Sequence, residues 1–206
     1  MTHLILGEPF PEHLKSNDEV LVIGFDPGTM NFGLCELTYS LVTQEVVRLN
    51  PMTIRVNKLP KDEWFESLYG ERLARIEALE LWLGRYLNEV QPFSVASESP
   101  FFNPRSPSAF PALVETLCAV RNAYRQYTDR SALFLIDPPT VKNAVGAGGN
   151  AHKDIVLEKI LNHPTLNRLS PKPLKELDNN AVDAMAVAYA LYTELVTGRN
   201  KFRTFL

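Results

Sequence analysis

Three carboxylates, Asp26, Glu98 and Asp183, occupy positions from which they could work together. Asp26 ends the apolar run 20–25 and precedes the turn Pro27-Gly28-Thr29, Glu98 ends the apolar run 93–98, and Asp183 lies in the helical pattern 179–196, rich in Ala, Met, Val and Leu. A carboxylate so close to a core strand is costly to bury uncompensated. Asp26 is therefore either hydrogen-bonded within its own turn, as Asp ahead of Pro-Gly commonly is, or held ready for a cation. Clustered anions raise one another's pKa unless a cation neutralises them. Oxygen donors without a His or Cys cluster favour Mg2+ or Mn2+ over zinc. Two such ions about 4 Å apart can activate a water and stabilise the leaving oxygen of a phosphodiester.

The elements that must position these groups follow from the pattern. Residues 20–25, 31–37 and 44–56 read as three strands in a meander. Residues 58–69 are a loop or short helix, and 71–90 carry Leu73, Ile76, Leu79, Leu83 and Leu87 at helical spacing. A strand at 93–98, a three-proline loop with Phe101 and Phe102, and a helix at 109–127 come next. Then follow a strand at 132–136 closed by Asp137-Pro138-Pro139, a helical turn at 140–145, a glycine loop at 146–150 and a helix at 151–161. A basic, proline-bearing stretch, 162–176, leads to the last helix. A meander followed by alternating helices and strands predicts a mixed five-stranded sheet with helices on both faces. If its first and fourth strands are neighbours, Asp26 approaches Glu98, and the last helix brings Asp183 to the same point. This is the element order of the RNase H-like α/β fold. Residues 1–19 are expected to form an irregular leader, 20–197 a single domain and 198–206 a tail. Trp64 and Trp82 are read as packing residues.

Composition narrows the classes. With 206 residues, 45% of them hydrophobic, the chain can fill one core. No apolar run is long enough to span a membrane, and the N-terminus lacks the pattern of a secretory signal. Cys35 and Cys118 are isolated, which suits reduced thiols in a cytoplasmic setting. The net charge of −3 is not that of a typical nucleic-acid binder, but it is unevenly spread. Glu8, Glu12, Asp18 and Glu19 face only Lys15 in residues 1–19, whereas Lys142, Lys153, Lys159, Arg168, Lys172 and Lys175 outweigh Asp154 and Glu158 in 141–175. The second stretch is either a solvated face or a phosphate-binding surface.

Four motifs in order resemble those of RuvC, the Holliday-junction resolving endonuclease, in its divergent bacteriophage and viral forms. Residues 23–29, Ile-Gly-Phe-Asp-Pro-Gly-Thr, resemble the family's opening strand and turn, with Asp26 on its first catalytic aspartate. Glu98 and Phe101 resemble the catalytic glutamate and the phenylalanine that inserts near the crossover. Lys142, the 146–150 loop and Lys153 resemble the family's lysine, glycine loop and second lysine. Residues 180–186 resemble its closing Asp-Ala helix, with Asp183 on the last aspartate. The resemblance covers about residues 20–191. It implies a homodimer that nicks four-way or other branched DNA with two Mg2+ ions, Mn2+ substituting, leaving 5′-phosphate and 3′-hydroxyl ends. It also implies that Asp26, Glu98, Asp183 and Asn180 hold metal, that Lys153 and Lys142 face the scissile phosphate, and that Phe101 and Arg105 touch DNA.

One departure concerns Asn180, which stands where many members have a fourth acid and some have histidine. Three residues before Asp183, it shares that helix face and can offer an amide oxygen but no charge. Asp178 is about 140° around the helix from Asp183 and is better read as the helix N-cap. Phe101 is either a core anchor or a stacking platform for unpaired bases. Two other functions compete. One is a non-catalytic branched-DNA-binding protein of the same fold. The other is an actin-like ATP-binding protein, whose Asp-x-Gly-Thr turn Asp26-Pro27-Gly28-Thr29 would also fit, but whose duplicated fold has no second half here.

Overall fold

Residues 20–25 are apolar at nearly every position because the strand they form is covered on both faces. In a computed structural model, described over residues 19–101, 104, 107, 109–128 and 132–197, this strand is β1 (Glu19–Asp26). It pairs antiparallel with β2 (Asn31–Ser40), which pairs antiparallel with β3 (Glu45–Arg55). On its other side β1 pairs parallel with β4 (Ser94–Glu98), and β4 parallel with the three-residue β5 (Phe134–Ile136). The order β3-β2-β1-β4-β5 is the mixed five-stranded sheet expected, with the first and fourth strands adjacent. β3 is an edge strand, which tolerates Pro51 and its missing N–H. The assumed leader (residues 1–18 of it) and the tail 198–206 lie outside the described residues, as do Phe102 and Arg105.

Alternation along β1 feeds two cores. Ile23 and Phe25 pack with Phe32, Leu34, Leu79, Leu83 and Leu87 beneath α2 (Glu71–Val90) and α3 (Ala109–Tyr127). Val20 and Val22 face the opposite way, towards α7 (Asn179–Thr197), with α4 (Pro138–Ala144), α5 (Lys153–Leu161) and α6 (Pro164–Leu169) on the same side. Helices thus cover both faces.

α7 lies unusually close to the sheet because glycine and alanine meet at the contact. A Cβ built on Gly24 would stand 2.6 Å from the carbonyl oxygen of Ala184 and 2.7 Å from Cα of Ala188. Gly33 is similar: its Cβ would collide with the carbonyl oxygen of Asn180. Glycine inside a strand here marks close backbone approach rather than a turn.

Several expectations are corrected. The second strand runs on past residue 37 to Ser40, because Thr38 is buried and its hydroxyl accepts from the Arg48 guanidinium across the strand pair at 3.2–3.3 Å. The last strand begins at Phe134, not residue 132. The basic, proline-bearing stretch 162–176 holds a short helix not expected there: Pro164 at the first helical position starts α6, and Leu166 is fully buried. Residues 58–69 do hold the short helix expected as one alternative, α1 (Glu63–Tyr69), preceded by a 3-10 turn (Val56–Lys58). Trp82 does pack, stacked on Tyr86 with ring centroids 5.0 Å apart, but Trp64 is 70% exposed on α1, which buries none of its residues.

Because the Gly24 contact is backbone on backbone, no rotamer change can relieve an added side chain. Gly24→Val should lower the unfolding free energy by about 1–3 kcal/mol or more, read as a reduced urea midpoint with an unchanged m-value.

Candidate active site

β1 and β4 run parallel with Phe25 opposite Ser97, so Asp26 and Glu98 end neighbouring strands side by side. Asp26 also pairs across to Gly33, Gly33 to Thr53, and Glu98 to Ile136. One row thus crosses the sheet edge, with the two carboxylates at its centre. Alternation places Asp26 with Val22 and Gly24, and Glu98 with Ala96, on the α7 face. The Gly33 contact completes the geometry: a Cβ there would stand 3.0 Å from Cβ of Asp26 while pressing on the backbone of α7 at Asn180. Asp183, one turn further along α7, thereby reaches the same neighbourhood.

Electrostatics show that the three carboxylates feel one another. Burial first, and then the Asp183 charge, push the Asp26 carboxyl up to about 7, with Lys153 pulling the other way. Burial, then Asp26, then Asp183 push Glu98 up to about 7, against Lys153 and Lys142. Lys153, the first residue of α5, donates to Asp183 at 3.1 Å. Lys142 on α4 donates to the carbonyl of Ala151 at 2.8 Å, closing a loop in which Gly146 and Gly148 adopt left-handed φ values of 78° and 83°. That clasp fixes where α5 begins and so where Lys153 stands.

The start of α7 is tied down separately. Asp178 accepts from the amide of Ala181 at 3.0 Å, as an N-cap, and from the hydroxyl of Thr53 on β3. Burial alone would raise its carboxyl; the Thr53 hydroxyl and the Ala181 and Asn180 donors outweigh that and hold it below the usual range. Asn180 is the exception among the expected site residues, since its side chain hydrogen-bonds Asp178 and plays no part in the shifts of Asp26 and Glu98. Phe101, just beyond β4, is 64% exposed and is therefore no core anchor. Reading the sequence did not single out Gly24, Gly33 or Thr53; the available signal was glycine within two strands.

The donor set suits a hard divalent cation: all-oxygen, partly neutralised by a lysine ammonium that stands on Asp183 as a cation would. Among the described residues no group of three or more His, Cys, Asp or Glu side chains is arranged to hold a single ion.

The raised carboxyls set a pH dependence for the metal-free protein. Folded Asp26 and Glu98 keep protons up to about pH 7, whereas in the unfolded chain they release them near pH 4. The folded state binds more protons across that window, so stability falls as pH rises from about 4 to about 7. In EDTA, the melting temperature should be lower at pH 8 than at pH 5.5, and Asp26→Asn should shrink that difference.

No family model matches the chain, and no curated protein matches its sequence. Solved structures do match. A Thermus thermophilus RuvC in complex with Holliday junction substrate aligns with TM-score 0.62 at 19% identity, over 89% of this chain and 98% of that one. The yeast mitochondrial Holliday junction resolvase aligns with TM-score 0.58 at 14% identity, over 88% and 81%. A fowlpox virus resolvase complexed with substrate Holliday junction DNA aligns with TM-score 0.50 at 11% identity, over 86% and 99%. The chain has the RuvC-like form of the RNase H-like fold.

Proposed function

We propose that residues 20–197 form a single nuclease domain that cuts four-way or related branched DNA with the help of divalent ions, Mg2+ or Mn2+. The observation that carries this reading is the half-buried pair Asp26 and Glu98, level at two strand ends, with Asp183 on α7 coupled to both. Two anions kept beside a third at the edge of a core are destabilising unless a cation answers them. The printed descriptions of the matching structures supply the substrate class: two of the three contain Holliday junction DNA.

Two bound ions would activate the attacking water and stabilise the leaving 3′ oxygen, giving 5′-phosphate and 3′-hydroxyl ends. The residues divide the remaining work. The ions would be held among Asp26, Glu98 and Asp183, with Asp26 central in the row. No single ion then needs all three acids. Asn180 uses its amide nitrogen on Asp178, which leaves its oxygen as a neutral donor beside Asp183. Lys153 exchanges its Asp183 partner for the scissile phosphate, offsetting charge there, and Lys142 sets its position through the loop clasp. Phe101, exposed at the same edge, stacks on unpaired bases at the branch point. Arg105, four positions further along the sequence, would contact the DNA backbone. A second copy of the chain supplies the symmetric nick that resolution requires.

One observation favours a non-catalytic reading. The Lys153–Asp183 pair already neutralises one acid without metal, as a protein that only binds junctions would need. Activity separates the two. With labelled four-way junctions and Mg2+ or Mn2+, the chain should release nicked products, and Asp26→Asn should lower the single-turnover rate by about a thousandfold. Junction binding without cutting under either ion would leave the binding protein. Equal cutting by Asp26→Asn would reject the site.

A further inference from the structure

Two kinds of contact hold α7 to the sheet. Ala184 and Ala188 lie backbone against backbone on Gly24, and the carbonyl oxygen of Asn180 lies on Gly33. Such contacts set the height of the helix but are nearly featureless, so they leave its rotation about its own axis open. A directional bond is needed for that. It lies further along the same row of the sheet. Asp26 pairs with Gly33 and Gly33 with Thr53, so Thr53 stands two strand spacings, about 10 Å, from Asp26. Four positions on from buried Leu49, it shares the α7 face. Its hydroxyl donates to the carboxylate of Asp178, 125 positions away in sequence and immediately before α7.

The cap does not require this bond. Asp178 already accepts from the amide of Ala181 at 3.0 Å, which is what an N-cap does. The Thr53 hydroxyl adds a tie between the capping side chain and the sheet, and a hydroxyl bonded to an ionised carboxylate is one of the stronger kinds. The contacts progress in step. Along α7, Asp178 meets Thr53 of β3, Asn180 meets Gly33 of β2, and Asp183 is coupled to Asp26 of β1. The first turns of α7 are thus laid along the row that leads to the carboxylates. Side chains reach about 5–6 Å from a helix axis, so a rotation of about 20° would swing the Asp183 carboxylate by about 2 Å. Metal–ligand distances are held to about 0.2 Å.

We propose that Thr53 is a positioning residue of the candidate metal site: through Asp178 its hydroxyl fixes the rotation of the start of α7, and so the direction from which Asp183 meets Asp26 and Glu98. The role requires contact with neither ion nor DNA. It is that of a group standing one step behind a ligand, whose removal typically costs about 10- to 100-fold in metal affinity or activity. The inference rests on the nuclease reading and adds to it a residue on the edge strand, three strands from Glu98.

Metal affinity tests it, measured on the full chain by calorimetric titration with Mn2+ in the absence of DNA. Thr53→Val keeps the branched shape and removes the donor. It should weaken Mn2+ binding by about tenfold or more and lower the single-turnover rate on labelled four-way junctions by a similar factor, with junction affinity in EDTA unchanged. Thr53→Ser keeps a hydroxyl and should restore both. In a chain carrying Asp178→Ala, Thr53→Val should have no further effect, because the hydroxyl acts only through that carboxylate. Thr38→Val removes another threonine hydroxyl, the buried one that accepts from Arg48. It should lower the melting temperature and leave Mn2+ affinity unchanged, which separates orientation from stability. Unaltered Mn2+ affinity in Thr53→Val, in a chain that still cuts junctions, overturns the positioning role alone, as does an equal loss in Thr38→Val or a failure of serine to rescue. A wild-type chain that neither binds Mn2+ nor cuts junctions overturns the nuclease reading and this role with it.

Discussion

Everything at the sheet edge depends on how closely α7 can approach β1 and β2. Two glycines and two alanines let backbone touch backbone, so the helix sits lower than side-chain packing would permit. A helix standing one side chain higher would hold Asp183 farther from Asp26 and Glu98 and weaken their coupling. The closeness is held at both ends of the contact, by Ala184 and Ala188 over Gly24 and by the Thr53–Asp178 tie near Gly33. Packing here is a condition of chemistry as well as of stability.

That closeness has an electrostatic cost, which falls on the carboxylates. Asp26 and Glu98 are both pushed to about 7, chiefly by burial, and then by Asp183 in the case of Asp26 and by Asp26 and Asp183 in the case of Glu98. An isolated domain selected only for stability would replace one of them with a neutral residue. Lys153 answers Asp183 but not the other two acids, whose carboxyls stay raised. The position of that lysine is supported in turn: the Lys142 clasp on Ala151 and two left-handed glycines shape the loop from which α5 starts.

Much of this was legible in the sequence, for identifiable reasons. Long periodic segments such as 71–90 and 109–127, and apolar runs ending in single acids, carry their structure in local pattern, and both helices have those bounds. Asp178 as a cap was also readable, because capping is local chemistry. Tertiary contacts were not. Thr38 and Ser40 look like turn residues until Arg48 arrives from the neighbouring strand to satisfy Thr38. α6 hides in a proline-bearing basic stretch too short for periodicity to register. Trp64 reads as a packing residue, and nothing in the sequence of α1 marks its lack of a covering layer. Asn180 shares a face with Asp183 as spacing required, yet its side chain turns to the cap, a choice decided by a neighbour rather than by helical geometry.

The two margins of the sheet carry a consequence of their own. β3 interrupts its outer row of amides with Pro51, and β5 offers only three residues. Neither margin presents the long, regular ladder that another polypeptide could extend. Addition of a further strand is thereby disfavoured at both margins of the sheet.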